Sequence, residues 1–211
     1  KVLIRELSTL YPKFNILAEE SGEIKNSEND IRWIIDPLDG TTNFVHDYPS
    51  YAVSIGVLYE GQPIVGVIME LPMNKMYFAV QNEGTYCDTE RISVSTTSDL
   101  SQSLLVTGFG YDHGSLWETN MRLFKHFTNI TQGVRRLGAA SVDLCHVASG
   151  KVDGFWEFDL HPWDTAAGIL IVTEAGGTIS KIDGAPFMIN DKQIIASNGF
   201  IHNKFIDEIK N

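Results

Sequence analysis

The chain has 211 residues and a formal net charge of −11, from 16 basic and 27 acidic side chains. Hydrophobic residues make up 43% of it and charged residues 20%, which excludes a disordered or fibrous protein. The negative charge opposes binding to nucleic-acid backbones and anionic lipid, so we expect neither a nucleic-acid nor a membrane partner. It also opposes an anionic substrate, unless cations intervene.

The two cysteines, Cys87 and Cys145, are too few for a disulfide framework and do not form a closely spaced pair. They predict a reducing compartment, most simply the cytoplasm, although a plastid would look the same once a transit segment is removed. The sequence opens on Lys1 within a helical pattern, so we expect an N-terminal segment to be missing from it.

A single mixed α/β (α+β) domain is expected over residues 1–211, in two halves. In the first half, about residues 1–98, the patterns predict a helix over 1–10, a strand over 15–18, an exposed loop over 22–30, a buried strand at 33–35 that stops at Asp36, and antiparallel strands over 51–59, 64–71, 76–81 and 85–87.

The second half, about residues 99–211, alternates strands and helices after a connector rich in Ser and Thr. Its patterns predict a strand over 104–107, helices over 115–127 and 139–149, a strand over 154–158, a helix over 165–175, strands over 178–182 and 193–197, and a closing helix over 201–209.

The segment 33–44, with the sequence WIIDPLDGTTNF, carries the most chemical information. A predicted buried strand leads into two carboxylates, Asp36 and Asp39, three positions apart on a tight turn. Together with the Leu38 carbonyl they offer the oxygen ligands that Mg²⁺ prefers, and N–H groups after Gly40 could face an anion. The alternative is an Asx turn without a metal, but no turn requires so long a motif.

Three further acidic positions each have a structural alternative. Glu19 and Glu20 follow a short strand, where paired glutamates are usually solvated. Asp164 stands where the N-cap of a helix is expected, a position that needs no ligand but also keeps a carboxylate ionised for a cation. Glu157 lies in an aromatic strand and could simply face water.

Taken together, these motifs resemble the inositol monophosphatase family of Mg²⁺-dependent, lithium-sensitive phosphatases. The resemblance rests on segment 33–46, the triplet Glu19-Glu20-Ser21 and segment 163–177, and it spans essentially the whole chain. It implies a layered αβαβα sandwich with a mainly antiparallel first sheet and an α/β second half. It also implies a homodimer.

The resemblance further implies roles for individual residues. Glu19, Asp36 and the Leu38 carbonyl would hold a first Mg²⁺, and Asp36, Asp39 and Asp164 a second, with two or three ions per site. Glu19, Thr41 and Asp36 would be the catalytic residues: Thr41 and Glu19 would help to orient and deprotonate the attacking water, and Asp36 would bridge the two ions. Residues from four segments would contact the substrate: Gly40, Thr41, Gly138, Ala139, Ala140, Glu157 and Asp164.

The implied reaction is hydrolysis of myo-inositol monophosphates to inositol and phosphate, with a small phosphate ester as the partner molecule. Two departures from the family pattern matter. Family members begin well upstream of Lys1, with an Asp that partners the Thr41-type residue. In addition, Ala139 stands where a hydroxyl residue is frequent, which leaves the preferred polyol open.

Two alternative functions stay open. A bisphosphatase for fructose-1,6-bisphosphate or a nucleotide 3′,5′-bisphosphate would need a basic anchor, for which Arg135 and Arg136 are candidates, although such pairs usually lie on the surface. A catalytically silent scaffold of the same fold would act through protein contacts, but it has no need to keep four mutually repelling carboxylates together.

Overall fold

Two β-sheets and six helices make up the described part of the chain, residues 2–26 and 30–210 of a computed structural model. The first sheet has eight strands in the order β2-β1-β3-β4-β5-β6-β7-β8. In chain order these are β1 Asn15–Ala18, β2 Gly22–Ile24, β3 Ile31–Asp39, β4 Ala52–Tyr59, β5 Gln62–Glu70, β6 Lys75–Val80, β7 Gly84–Cys87 and β8 Glu90–Ile92. Every pairing in it is antiparallel except that of β1 with β3.

The second sheet has five strands in the order β10-β9-β11-β13-β12. They are β9 Leu104–Thr107, β10 Gly133–Arg135, β11 Gly154–Phe158, β12 Thr178–Ser180 and β13 Gln193–Ser197. The helices are α1 Val2–Leu10, α2 Thr41–Val45, α3 Ser115–Ile130, α4 Ala140–Ala148, α5 Pro162–Glu174 and α6 His202–Lys210. Strands β10, β9 and β11 are parallel, whereas β13 is antiparallel to both of its neighbours.

The layers follow from which apolar residues are buried together. Helices α4 and α5 are buried on nearly all sides, and their side chains form one core with both sheets. On the far side of the second sheet, Phe127 of α3 and Phe205 of α6 pack against Trp156. Leu7 of α1 packs on the outer face of the first sheet. The order is therefore αβαβα, which confirms the predicted fold class.

Small residues let α5 approach the first sheet closely. A Cβ atom added at Gly66 of β5 would lie 2.6 Å from the backbone oxygen of Ala167. Because real Cβ atoms do not approach this closely, neither side of the contact tolerates a larger residue without movement. This contact holds the start of α5, which carries Asp164, against the sheet that carries Asp36.

Several predicted elements need correction. The predicted loop over 22–30 contains a strand, β2, which pairs with β1, while residues 27–29 of that loop and Lys1 lie outside the described residues. The strand predicted to stop at Asp36 continues to Asp39, with an irregular register between the two residues. The short strands β8 and β10 were not predicted, because three residues carry too little periodicity.

No helix in the described part of the chain is both long and apolar enough to cross a membrane.

Candidate active site

Three carboxylates converge where β3 meets the start of α5. One oxygen from each of Asp36, Asp39 and Asp164 lies within 4.8 Å of the others. Asp36 and Asp39 are buried and Asp164 is half-buried. Like charges this close repel strongly in a dry environment, so the cluster favours either bound protons or a bound cation.

Asp36 forms the Asx turn that was the alternative interpretation of its motif. Its Oδ1 accepts a hydrogen bond of 2.9 Å from the Leu38 N–H. Nevertheless its pKa is raised from 3.8 to about 9, first by burial and then by the charges of Asp39 and Glu19. The turn and a metal site are therefore compatible, because the turn orients the carboxylate without neutralising it.

Asp39 is held by the N-terminus of α4. Its Oδ2 accepts hydrogen bonds from the backbone N–H of Ser141, at 2.8 Å, and from the Ser141 hydroxyl. Burial raises the pKa of Asp39 to about 6, against the lowering effect of these Ser141 bonds. Sequence reasoning missed Ser141, because this contact joins residues 102 positions apart.

The sequence pattern predicts Asp164 at the N-cap of α5, but the structure does not place it there. The helix begins at Pro162, with His161 as the N-cap and Asp164 in its first turn. Asp164 Oδ2 accepts a hydrogen bond of 2.7 Å from the His161 N–H, while burial raises its pKa to about 7. Because proline fits the first helical position, the helix begins at Pro162 and its N-cap lies three residues before Asp164.

The remaining predicted metal and catalytic residues surround this cluster. Glu19 follows β1, is exposed and lines the same cavity, but it is not one of the three converging carboxylates. Leu38 also lines the cavity, and its carbonyl accepts a 3.0 Å hydrogen bond from the Thr41 hydroxyl. Glu19, Leu38 and Thr41 therefore lie near the three carboxylates, but none of them belongs to the group whose oxygens converge.

Gly40 and Asn43 explain why the motif continues past its acids. Gly40 has φ = 82°, and a Cβ there would lie 2.8 Å from the Ser50 carbonyl oxygen and 3.1 Å from the Ala139 Cβ. The Asn43 amide donates 2.7 Å hydrogen bonds to the carbonyls of Ser50 and Leu137. These contacts join α2 to the segment that precedes α4, so they set the distance between two walls of the cavity.

A cavity of about 530 Å³ opens beside the carboxylates. Of the predicted substrate residues, Gly40, Thr41, Gly138, Ala140, Glu157 and Asp164 line it. Ala139 does not, because it is buried with its methyl group toward Gly40. Glu157 does not simply face water, since burial and then the Asp164 and Asp39 charges raise its pKa.

Of the two candidate basic anchors, Arg136 lines the cavity and is the one Lys or Arg among the described lining residues, whereas Arg135 is not among them. The lining segments 108–112 and 158–161 and the nearby Asp143 were not predicted from the sequence. Asp143 of α4 is fully buried, and within the described chain neither of its oxygens has a hydrogen-bond partner. Burial, followed by the Glu157 and Asp39 charges, raises the pKa of Asp143 well above its usual range. These residues lie in ordinary-looking loops and a core helix, so no local signal marks them.

The donor set fits a hard divalent cation. Mg²⁺ binds carboxylate and carbonyl oxygens and keeps part of its water shell, and the site offers three converging carboxylates beside an open cavity. The raised pKa values of all three describe the metal-free protein. A divalent cation would relieve the same repulsion that otherwise draws protons to the cluster.

Comparison with known proteins agrees with this geometry. The chain is 50% identical over 200 residues to "Phosphatase IMPL1, chloroplastic" of Arabidopsis thaliana, covering 92% of this chain and 54% of that protein. It is 45% identical to an inositol-1-monophosphatase of Synechocystis over 203 residues, or 96% and 71% of the two chains. The "Nus factor SuhB" of Escherichia coli is 39% identical over 197 residues, or 93% and 74%. The chain therefore spans about half the length of the first of these relatives.

A solved structure shows the same fold at high similarity. The inositol monophosphatase from Anabaena superposes with a TM-score of 0.94 at 45% identity, covering 99% of this chain and 83% of that one. A sequence model described as "Inositol monophosphatase family" matches residues 1–211. The chain belongs to the inositol monophosphatase family.

Proposed function

We propose that this chain is a Mg²⁺-dependent phosphomonoesterase that hydrolyses myo-inositol monophosphates to inositol and phosphate. The observation that carries the proposal is the convergence of Asp36, Asp39 and Asp164 within 4.8 Å at the edge of a cavity lined by Gly40 and Thr41. Family membership supports the reaction class, and the cavity supports a substrate of modest size.

The metal would be held by Asp36, Asp39 and Asp164, with Glu19 and the Leu38 carbonyl completing the ligand set for two or three ions. Mg²⁺ supplies Lewis-acid stabilisation of the phosphoryl and leaving oxygens and makes water more acidic. Thr41 and Glu19, which both line the cavity, would orient the attacking water and accept its proton. The N–H groups of Gly40 and Thr41, at the start of α2, would bind the phosphate.

The other wall of the cavity supports a polyol as the leaving group. Glu157 provides a carboxylate that can accept hydrogen bonds from ring hydroxyls, and Gly138 and Ala140 leave room beside it. Arg136 is the one Lys or Arg among the described lining residues. Burial raises the pKa values of Asp143 and Glu157, and the charge of Arg136 partly offsets that rise. Because a single guanidinium near two acids is a weak anchor for a second phosphate, we favour a monophosphate over a bisphosphate substrate.

The test is a phosphate-release panel with and without Mg²⁺ and Li⁺. The panel compares myo-inositol 1-phosphate with fructose-1,6-bisphosphate and adenosine 3′,5′-bisphosphate. We expect Mg²⁺-dependent release that prefers the inositol ester and is inhibited by Li⁺. A strong preference for either bisphosphate would replace the substrate assignment. No release from any ester would favour a catalytically silent scaffold that acts through protein contacts.

Exposed apolar side chains near the end of α2 support a homodimer. Phe44, Val45 and Tyr48 near the end of α2 are 49–72% exposed, and such an apolar patch is typical of an interface. We propose that it contributes to a homodimer, which light scattering of the purified chain would test.

Both cysteines are free, which supports a reducing compartment, either cytoplasm or plastid.

A further inference from the structure

Residues 108–112, between the end of β9 and the start of α3, contain two glycines, and all five line the cavity. We call this segment the strap. Its first residue is firmly anchored. The Gly108 carbonyl accepts a 2.6 Å hydrogen bond from the buried Asn120 amide of α3. A Cβ at Gly108 would overlap the Glu157 carboxylate, so the strap starts in contact with the proposed polyol-binding acid.

The second residue of the strap, Phe109, also contacts an aromatic cluster on α3. The Phe109 ring lies 6.0 Å from the Phe124 ring and 6.4 Å from the Trp117 ring, measured between centroids. Both partners belong to α3. Aromatic contacts at this distance are attractive, so Phe109 fixes the base of the strap to the helix behind it.

The strap's tip reaches the opposite wall of the cavity. The Tyr111 side chain is 85% exposed, yet its hydroxyl lies 3.1 Å from the Thr42 hydroxyl at the start of α2. Thr42 is next to Thr41 and Gly40, which line the proposed phosphate side. The strap therefore runs from Glu157 on one wall to α2 on the other, and a single hydrogen bond joins its tip to α2.

We propose that the Tyr111–Thr42 hydrogen bond is a latch that holds the strap across the leaving-group side of the cavity. The latch makes Tyr111 and Thr42 specificity-determining residues that favour single-ring polyol monophosphates over bulkier phosphate esters. This inference rests on the proposed phosphatase function. A small polyol fits beneath the strap between Glu157 and the carboxylate cluster. A larger leaving group has to displace Tyr111 and break the latch.

The latch is suited to opening and closing. An exposed hydrogen bond between two hydroxyls contributes little net free energy, because water replaces either partner easily. Gly110, next to Tyr111, allows the backbone at the tip of the strap to change conformation. The anchors at Asn120 and Phe109 keep the base of the strap in place while its tip moves.

The test compares variants that remove one hydroxyl each. Tyr111→Phe and Thr42→Val delete the two halves of the latch with little change in shape, whereas Thr42→Ser keeps the hydroxyl. Tyr59→Phe, at an exposed tyrosine of β4 outside the cavity lining, is the matched control. The kinetic probes are myo-inositol 1-phosphate and 2′-AMP, both with Mg²⁺. Hydrogen exchange of the backbone amides in residues 108–112 provides a readout independent of turnover.

For Tyr111→Phe and Thr42→Val we expect the ratio of kcat/KM for the inositol ester to that for 2′-AMP to fall about threefold to tenfold. The change should come mainly from KM of the inositol ester, and amide exchange in the strap should quicken. The double variant should match the single variants, because both remove the same bond. Thr42→Ser and Tyr59→Phe should resemble the unchanged chain.

Three results would overturn the inference. An unchanged substrate ratio and unchanged amide exchange in both single variants, in an active enzyme, would refute the latch while leaving the phosphatase function in place. The same would follow if the two substitutions had fully additive effects. If the unchanged chain released phosphate from neither ester, the proposed function would fail, and the specificity role would fail with it.

Discussion

Asp39 at the end of β3 accepts a 2.8 Å hydrogen bond from the backbone N–H of Ser141, 102 positions later in the chain. The contact places a carboxylate of the first-half acidic motif on the N-terminus of α4, the helix whose first residue, Ala140, lines the cavity. The partial positive charge of that helix end favours the ionised form of Asp39. One side chain therefore links the acidic cluster to the wall of the cavity that α4 begins.

Removing the Ser141 hydroxyl should weaken metal binding without disturbing the fold. Ser141→Ala keeps the backbone N–H but loses the short hydroxyl contact to Asp39. Groups that orient metal ligands are typically responsible for about 10–100-fold in affinity, so we expect the Mg²⁺ concentration for half-maximal activity to rise at least about tenfold. Ser149→Ala, which loses only hydrogen bonds to the Cys145 and His146 carbonyls at the end of α4, should leave it unchanged. Equal Mg²⁺ dependence in the two variants would contradict a role for Ser141.

Asn43 should be needed for stability and for substrate affinity together. Asn43→Ala removes the two 2.7 Å bonds to the Ser50 and Leu137 carbonyls. We expect a loss of about 1–3 kcal/mol in the free energy of unfolding and a higher KM, because the two cavity walls are no longer joined. Urea denaturation and steady-state kinetics would measure these effects. Asn203→Ala, at an exposed position of α6, is the control. If Asn43→Ala lowered the free energy of unfolding no more than this control does, the Asn43 hydrogen bonds would not hold the two walls together.

Substitution by alanine should be more destabilising at Gly40 than at Gly22, a glycine in a similar backbone conformation. Gly40 and Gly22 have φ of 82° and 68°, but an added Cβ meets the Ser50 oxygen at 2.8 Å only at Gly40, while nothing lies within 4 Å at Gly22. Gly22→Ala should cost about 1–2 kcal/mol through its backbone conformation. Gly40→Ala should exceed this by at least about 1 kcal/mol through overpacking. Similar losses in thermal or urea unfolding would show that the close contact relaxes freely.

The metal-free protein should lose stability as the pH rises. The folded-state pKa values of Asp36, Asp164 and Asp39 are about 9, 7 and 6, above the usual 3.8. Between pH 4 and 9 the folded state therefore binds more protons than the unfolded state, so the free energy of unfolding falls with pH. Each group contributes up to about 1.4 kcal/mol per pH unit until its folded-state pKa is passed.

Thermal unfolding with a chelator at pH 5, 7 and 9 measures this effect. Tm should decrease across the series, and Asp36→Asn should flatten the decrease. Mg²⁺ should raise Tm more at pH 8 than at pH 6, because the metal competes with protons for the same oxygens. A metal-free Tm that stays constant or rises between pH 5 and 9 would contradict the repulsive cluster.

The fold and the acidic cluster were largely predictable because their signals are local. Alternating apolar residues indicated the strands from β4 to β7, and the motif at 33–44 indicated two of the three converging carboxylates. The contacts that give the site its shape are not local. Ser141 reaches Asp39, Asn43 reaches Leu137 and Tyr111 reaches Thr42, each over 69 or more positions. Sequence periodicity does not report such pairs, because they depend on how layers stack.

The N-cap position of Asp164 is wrong for a physical reason. Carboxylates favour the N-cap, but Pro162 fits the first helical position and places the cap at His161. The substrate role of Ala139 stays a prediction: its side chain does not line the cavity, and its methyl group lies where a Cβ added at Gly40 would be 3.1 Å away.

The most direct measurement is Mg²⁺-dependent phosphate release from myo-inositol 1-phosphate by the unchanged chain, Asp36→Asn and Asp164→Asn. Circular dichroism and Mg²⁺ calorimetry on the same samples would report folding and metal binding. A site centred on the three carboxylates predicts activity in the unchanged chain and loss of at least about 100-fold in each variant, which stay folded and bind Mg²⁺ more weakly. Near-normal turnover of either variant at saturating Mg²⁺ would contradict it.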